Sequence, residues 1–367
     1  MIGIFRVMLR LPWMLLLATL ALVFIGSSAL YSASEGSWAP WTEQHLIRAA
    51  MGGIIIILIT LVPASWLFKW SYIGLLGAIF FLVVLQFIGV GTGATRWIAI
   101  AGFNFQPSEP AKLAVILALA RYFSEQTPEQ LQEFIVYIPA IALVGVPFGL
   151  VLIQPDLGTS LMLLVGGFMV IFAAGIPRRY IFGAVIAGLA SLPVLWAQLY
   201  DYQKARVMTF LNPEADQLGA GYQIAQSKIA LGSGGLFGKG FLMGSQSQLN
   251  YLPEKQTDFV FTMIGEEFGF IGNVTILIVY FIILTSIILI SLRCQNRFAR
   301  LSCMGVSMMI FLYMFVNIAM VTGLMPVVGA PLPLISYGGT AMLTVFAGIG
   351  VVVNASMNSH IEDSDYL

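Results

Sequence analysis

Charge, histidine and cysteine are all scarce in this chain of 367 residues. Charged side chains make up 9% of it, against about a quarter in an ordinary soluble domain. The 17 basic and 17 acidic groups cancel, so no net field draws in nucleic acid or an anionic surface from a distance. Two histidines, His45 and His360, leave no HExxH site, no histidine cluster for a metal and no Ser-His-Asp triad. Two cysteines, Cys294 and Cys303, cannot build the disulfide framework of a small secreted domain. What is abundant is apolar: 59% of the residues are hydrophobic. A soluble globule of that composition could not cover its surface with polar groups. The fold class is therefore an all-α polytopic membrane protein, and a disordered, secreted or nucleic-acid-binding chain is excluded.

A membrane-crossing helix needs about 20 mostly apolar residues. The sequence predicts about ten such helices, near 11–32, 46–68, 71–91, 109–124, 134–153, 159–175, 180–199, 262–292, 301–323 and 337–357, the fourth and sixth being short. The first apolar run, from Leu11 to about Leu30, exceeds a signal peptide's core of about 7–15 residues and reads as an uncleaved span. The segment after Asp258 is too long for one straight crossing and is expected to bend at Gly265, Gly269 or Gly272. An even count puts both termini on one side. Arg6, Arg10, Lys69, Arg121, Arg178, Arg179, Arg293, Arg297 and Arg300 cluster on that side, against Arg48 and Arg96 in the opposite short loops. By the positive-inside rule both termini are cytoplasmic. The chain then reads as one membrane domain over 1–367 in the cytoplasmic (inner) membrane, with one large extracytoplasmic loop at 200–258.

Ionisable groups at membrane depth cost about 2.5–3.5 kcal/mol each on insertion scales, so each needs a reason. In FNFQPSEPAKLA (103–114), Glu109 and Lys112 share a helix face. They read either as a mutual ion pair or as the wall of a polar cavity open to the outside. Asp156, in IQPDLGTS (153–160), reads either as the N-cap of the next helix or as a group orienting a base or metal ion. The loop carries Arg206, Lys228, Lys239 and Lys255, and eight glycines lie within 219–244. The amides of glycines 232, 234, 235, 238 and 240 could approach a phosphate closely. GSGGLFGKG (232–240) fails as a nucleotide loop, because Ser233 replaces its first glycine and Gly240 its hydroxyl residue. Asp258 is the last charge before the apolar run. There it reads as an N-cap of the eighth helix or as a partly desolvated general base. Glu266 and Glu267 are expected to orient Arg48 or Lys112, or to form a polar seam, without a catalytic role. The proline-broken stretch 317–342 is expected to form a second wall of the same site or a structural knot that shapes it, since irregular backbone at membrane depth must be satisfied by protein or a wet cavity.

QPSEPAK, QPDLGTS, the run from ARVMTFLNP to YLPEKQTDF, IGEEFGFIG and LPLISYGGT occur in this order. Together they resemble the SEDS family (shape, elongation, division and sporulation proteins) over essentially all ten predicted spans. The start of the first span at about Leu11 is closer to the family's rod-shape members than to its division members. Ala330, where the family carries a branched aliphatic residue, and Pro110, where a bulky apolar one is commoner, depart from the pattern at packing positions.

The resemblance implies a peptidoglycan glycosyltransferase that polymerises lipid II, the undecaprenyl-pyrophosphate-linked disaccharide peptide. It also implies a class B penicillin-binding protein of the PBP2 type as partner, within an elongation machinery and without nucleic acid. Asp258 matches the family's essential aspartate. On this reading Asp258 is catalytic, and Arg48, Glu109, Lys112, Asp156, Arg206 and Lys239 bind substrate. No nucleotide is used, and Mg2+ or Mn2+ is a further candidate for charge neutralisation. A lipid II flippase or transporter, and a scaffold that only activates the penicillin-binding protein, are the competing classes. Polymer formed from lipid II in detergent separates them.

Overall fold

The computed structural model describes residues 11–88, 97–100, 103–213, 216, 219–249, 251–252 and 254–361. Arg6, Arg10 and Arg96, on which part of the orientation argument rests, lie outside them. Helices α1 (Trp13–Ala33), α2 (Trp41–Leu61) and α3 (Ala64–Ile88) lead into a hairpin of β1 (Ile98–Ile100) and β2 (Phe103–Phe105). The two strands pair antiparallel with Ile98 opposite Phe105. Then follow α4 (Ser108–Ser124), α5 (Tyr137–Ile153), α6 (Leu157–Ala173), α7 (Arg178–Gln198), α8 (Asp201–Leu211), α9 (Ala220–Ser233) and α10 (Ser245–Gln248). The last three are α11 (Val260–Arg293), α12 (Arg297–Val321) and α13 (Gly339–Met357). Among the described residues, eight helices are long and apolar enough to cross a membrane. The predicted fourth and sixth spans are the 17-residue α4 and α6. Helices suit these sequences because lipid offers no partner for a backbone N–H or C=O, so each segment must satisfy its own.

Two boundaries differ from expectation. The second predicted span ran through to 68, but α2 stops at Leu61 and α3 begins at Ala64. Pro63 causes this: it lacks an N–H and pushes the residue before it out of the helical region. Lys69 therefore sits inside α3, and Arg48 inside α2, rather than in loops. The stretch 200–258 contains α8, α9 and α10.

The chain divides into two compact units. One comprises Met1–Ile59, Arg206–Leu289 and Ile310–Val353, the other Thr60–Ala205, Ile290–Met309 and Asn354–Leu367. In the second unit α4 is the most enclosed helix, with Ala111, Ala118, Leu119, Ala120 and Phe123 fully buried. Ala111 joins Ala78, Leu82 and Val151 in a small core. Apolar burial does not drive helices together in lipid, so close packing and polar ties do more of the work. Arg121 supplies one tie. Its Nη1 donates to the carbonyls of Phe68 at 3.2 Å and Lys69 at 2.9 Å, and its guanidinium stacks 4.3 Å from the Tyr72 ring. Arg297 supplies another, donating to the carbonyls of Gln126 and Ala174. Two arginines read as orientation signals thus also tie helices together, and Arg297 satisfies the Ala174 carbonyl at the end of α6. By contrast α7 buries none of its residues, as a helix apolar on all sides can do when lipid surrounds it.

In the first unit α11 breaks where one of the three expected glycines stands. Gly269 has φ 68° and ψ −160°, a conformation open essentially to glycine alone. In an unbroken helix Phe270 N–H would donate to Glu266 C=O, and Ile271 N–H to Glu267 C=O. Here Phe270 N donates to Gly235 O at 2.8 Å and Ile271 N to Leu236 O at 3.2 Å. The carbonyls of Glu266 and Glu267 accept instead from Lys239 N and Gly240 N, both at 3.0 Å. The loop after α9 is a splint, satisfying the backbone groups the break exposes. Its fit is close: a Cβ on Gly269 would lie 2.4 Å from Gly238 N, and one on Gly238 2.0 Å from Glu267 O.

Candidate active site

Asp258 lies in the first unit, in a turn that precedes α11. Its own N–H donates to Glu254 O at 3.1 Å. The two residues after it, Phe259 and Val260, are 1% and 0% exposed, whereas Asp258 itself is only partly buried. The carboxylate thus stands at the edge of the apolar run, as its position in the sequence implies. Helix α11 begins at Val260, which leaves Asp258 outside the N-cap position.

The proline-rich stretch builds a wall beside it. Asn317, fully buried on α12, donates through Nδ2 to Asp258 O at 2.9 Å and to Ala330 O at 2.7 Å. A Cβ on Gly329 would lie 3.3 Å from Asp258 Oδ2, so the carboxylate faces that segment. Tyr337 N donates to Gln256 O at 2.9 Å. Leu332 N reaches Ser336 Oγ at 2.9 Å, and the Tyr280 hydroxyl donates to Pro333 O. Side chains thereby satisfy a backbone that forms no helix, as membrane depth requires.

Arg48 joins this group through Tyr337. Its Nη2 donates to the Tyr337 hydroxyl and to Gln44 Oε1, each at 3.1 Å, and its guanidinium lies 4.2 Å from the centre of the Tyr337 ring. The Tyr337 hydroxyl in turn donates to Gln44 Oε1. Arg48 Nη1 has no hydrogen-bond partner among the described residues. The planar fork of arginine suits a phosphate oxygen while the ring fixes its plane. Arg206 is half-buried on α8. Lys255 is 4% exposed; burial pushes its ammonium below the usual lysine range, and Glu35 pulls it back up.

Other expected site residues have partners within the protein. Lys239 Nζ lies 2.6 Å from Glu266 Oε1 and 2.8 Å from Ser245 Oγ. The loop glycines form no phosphate cradle. The amides of 234, 235, 238 and 240 donate to Ala230 O, Gly232 O, Gly234 O and Glu267 O, and Gly232 lies within α9. Glu266 is bound to Lys239 and not to Arg48, while Glu267 accepts from the Ser32 hydroxyl.

In the second unit, Glu109 and Lys112 are 3% and 4% exposed and 2.7 Å apart. A pair so enclosed is the ion pair of the first reading and not an open cavity wall. Asp156 is the N-cap of α6. Its Oδ1 accepts from Thr159 N at 3.2 Å and its Oδ2 from Thr159 Oγ1 at 2.9 Å. Gln106 Nε2 lies 3.4 Å from the same Oδ2. Among the described residues no three His, Cys, Asp or Glu side chains converge to hold a metal ion.

Sequence reasoning passed over Asn317, Tyr337 and Gln44. Asn317 carried a signal, since an amide inside an apolar span calls for a partner just as a charge does. Tyr337 carried one too, in the LPLISYGGT motif of the expected wall; Gln44 carried none, because its meeting with Tyr337 depends on how distant segments fold.

A helical membrane protein with a broken span, a half-buried carboxylate just before a span and an arginine tied to that turn through Tyr337 defines the class. The profile of the Cell cycle protein family (FtsW, RodA, SpoVE) matches residues 7–361. The chain belongs to this family. It is 42% identical over 349 residues to the peptidoglycan glycosyltransferase MrdB of Escherichia coli (strain K12), covering 94% of this chain and 93% of that one. A chain solved within a peptidoglycan synthase complex that coordinates polymerization and crosslinking superposes with a TM-score of 0.82 at 29% identity, covering 95% and 98% of the two chains. The rod shape determining protein RodA of Thermus thermophilus gives 0.71 at 28% identity over the same shares.

Proposed function

We propose that the protein is a peptidoglycan glycosyltransferase that polymerises lipid II for cell elongation, with Asp258 as general base. The chemistry is one inverting displacement. The 4-hydroxyl oxygen of the acceptor sugar attacks the anomeric carbon of the growing chain. As that bond forms, the bond from the anomeric carbon to pyrophosphate breaks, and the hydroxyl proton passes to Asp258. Attack opposite an α-linked pyrophosphate gives a β-1,4 linkage, and the diphosphate departs without the protonation an alkoxide would need. The observation that carries this reading is the placement of Asp258. A partly buried carboxylate faces the Gly329 segment, in a turn tied through Gln256 and Tyr337 to the Arg48 guanidinium.

Arg48 is the first candidate to stabilise charge on the departing diphosphate, and Arg206 the second. Mg2+ usually keeps several waters and binds largely through substrate phosphates, so Mg2+ or Mn2+ would be held chiefly by the diphosphate and leave Asp258 to act as base. Such an ion would add further neutralisation on the diphosphate. The substrate's isoprenoid tail stays in lipid while its sugars stand in water, so the reaction belongs at the membrane's outer face. The basic residues place the termini in the cytoplasm and 200–258 outside. The partner is a class B penicillin-binding protein, which cross-links the strands made here. Likeness to a chain of a peptidoglycan synthase complex supports that assignment.

Asp258→Asn keeps the size of the side chain and removes its basicity. Purified with its partner and given lipid II in detergent, that variant is expected to lose about 10²–10⁴-fold in polymerisation rate. Strands built at the unaltered rate would sink the proposal. Polymer made by the unmodified protein in detergent, where there is no second compartment, excludes a purely transporting role.

A further inference from the structure

The reading of Asp258 as base leaves the Lys239–Glu266 pair unused, and the structure gives it a place. The helical segment from Val260 to the break at Gly269 carries Asp258 just before its first residue. At its other end it is held by the splint, whose four backbone hydrogen bonds run between 235–240 and 266–271. Backbone bonds of this kind fix the two chains' register and leave the angle between them soft. Glu266 removes that freedom. Its Oε1, fully enclosed, accepts from Lys239 Nζ at 2.6 Å, Ser245 Oγ at 3.1 Å and Gln246 N at 3.0 Å. Lys239 Nζ also donates to Ser245 Oγ at 2.8 Å, which closes the triangle.

We propose that Lys239 and Glu266 are positioning residues for the glycosyl transfer: their ion pair clamps the splint onto the broken helix and so fixes where Asp258 stands. The lever is short and stiff. Asp258 stands eight residues before Glu266, with 260–266 helical, a span of about 12 Å at helical rise, so a rotation of about 5° at the break moves the carboxylate by about 1 Å. A displacement of about 1 Å from the reacting position costs about 10²-fold in rate. Lys239 therefore acts on the reaction through Asp258, without touching the diphosphate.

The test is a double-mutant cycle on the full chain with its partner, measuring kcat and KM for lipid II. Lys239→Met and Glu266→Gln are each expected to lower kcat by about 10²-fold with KM within about twofold of the parent. The two residues act as one unit, so the double variant should be no slower than either single. Lys239→Arg should recover most of the rate. A raised KM in Lys239→Met beside a near-normal Glu266→Gln would overturn the proposal and return Lys239 to the substrate. Additive losses, or unchanged kcat in both, would overturn it equally. If those variants do not fold, Ser245→Ala decides, because it removes only the hydroxyl bridging the pair. A several-fold fall in kcat at constant KM supports the clamp, and an unchanged kcat ends it. Asp258→Asn assayed alongside separates the two ideas: if it polymerises normally, the base assignment fails, whatever Lys239 does. If it is inactive while the Lys239 and Glu266 variants are fully active, only the clamp fails.

Discussion

Among the ionisable residues inside the apolar segments, partners decide function more than residue type does. Glu109 and Lys112 show this: enclosed together at 2.7 Å, they serve each other. Removing one partner of a buried pair leaves an uncompensated charge and typically costs 3–5 kcal/mol. Glu109→Gln and Lys112→Met should therefore each lower the thermal unfolding midpoint of the purified protein sharply. The exchanged double variant, with Glu109→Lys and Lys112→Glu, should recover much of it. Recovery of stability without any deficit in KM would place the pair in the scaffold; a KM defect in the exchanged protein would return it to the substrate. Asp258 stands in contrast. Its backbone is pinned by Asn317 while its carboxylate is only partly buried, which suits a group that must meet a hydroxyl from outside. Its importance was legible in the sequence, as the last charge before an apolar run. A wall built from 317–342 was legible too; the particular contacts were not, because Gly329, Tyr337 and Arg48 lie far from Asp258 along the chain.

At the scale of elements, the broken α11 and its splint are one device. The bend could be narrowed to three glycines from the sequence, because a 34-residue apolar helix is longer than the membrane needs. That Gly269 is the one, and that the glycine-rich loop serves the bend and not a phosphate, depends on four hydrogen bonds across some 30 residues of chain. Gly269→Ala tests it. The new methyl would meet Gly238 N at 2.4 Å, in a conformation with φ 68° that costs a non-glycine residue about 1–3 kcal/mol. We expect a lower unfolding midpoint and faster amide exchange at Phe270 and Ile271, whose protons would lose their acceptors. Unchanged exchange at both would show that the loop does not splint the break.

For the molecule as a whole, the direction of the chain through the membrane is the quantity to measure. Both native cysteines are buried, so added ones report cleanly. Glu254→Cys, in the exposed turn before Asp258, should react with a membrane-impermeant thiol reagent added to sealed right-side-out vesicles. Glu129→Cys, exposed in the turn between α4 and α5, should react only after the vesicles are opened. The reverse pattern would put Asp258 on the cytoplasmic face and remove the argument for lipid II as its substrate.

Composition, apolar run length and the distribution of arginine are additive, local properties, so the sequence alone determined a helical membrane protein. It also determined the place of the long apolar helices, though not of α8, α9 and α10, and an aspartate where a long loop meets an apolar run. Pro63 is the instructive miss: the signal was present, and the apolar run on either side outweighed it. Partner choice belongs to the tertiary structure. Whether Lys239 meets Glu266 or a substrate, whether Asp156 caps a helix, and whether Arg48 rests on Tyr337 all follow from contacts between distant segments. A charged side chain advertises that it needs a partner; only the folded chain, by bringing remote groups within about 3 Å, selects which one it has.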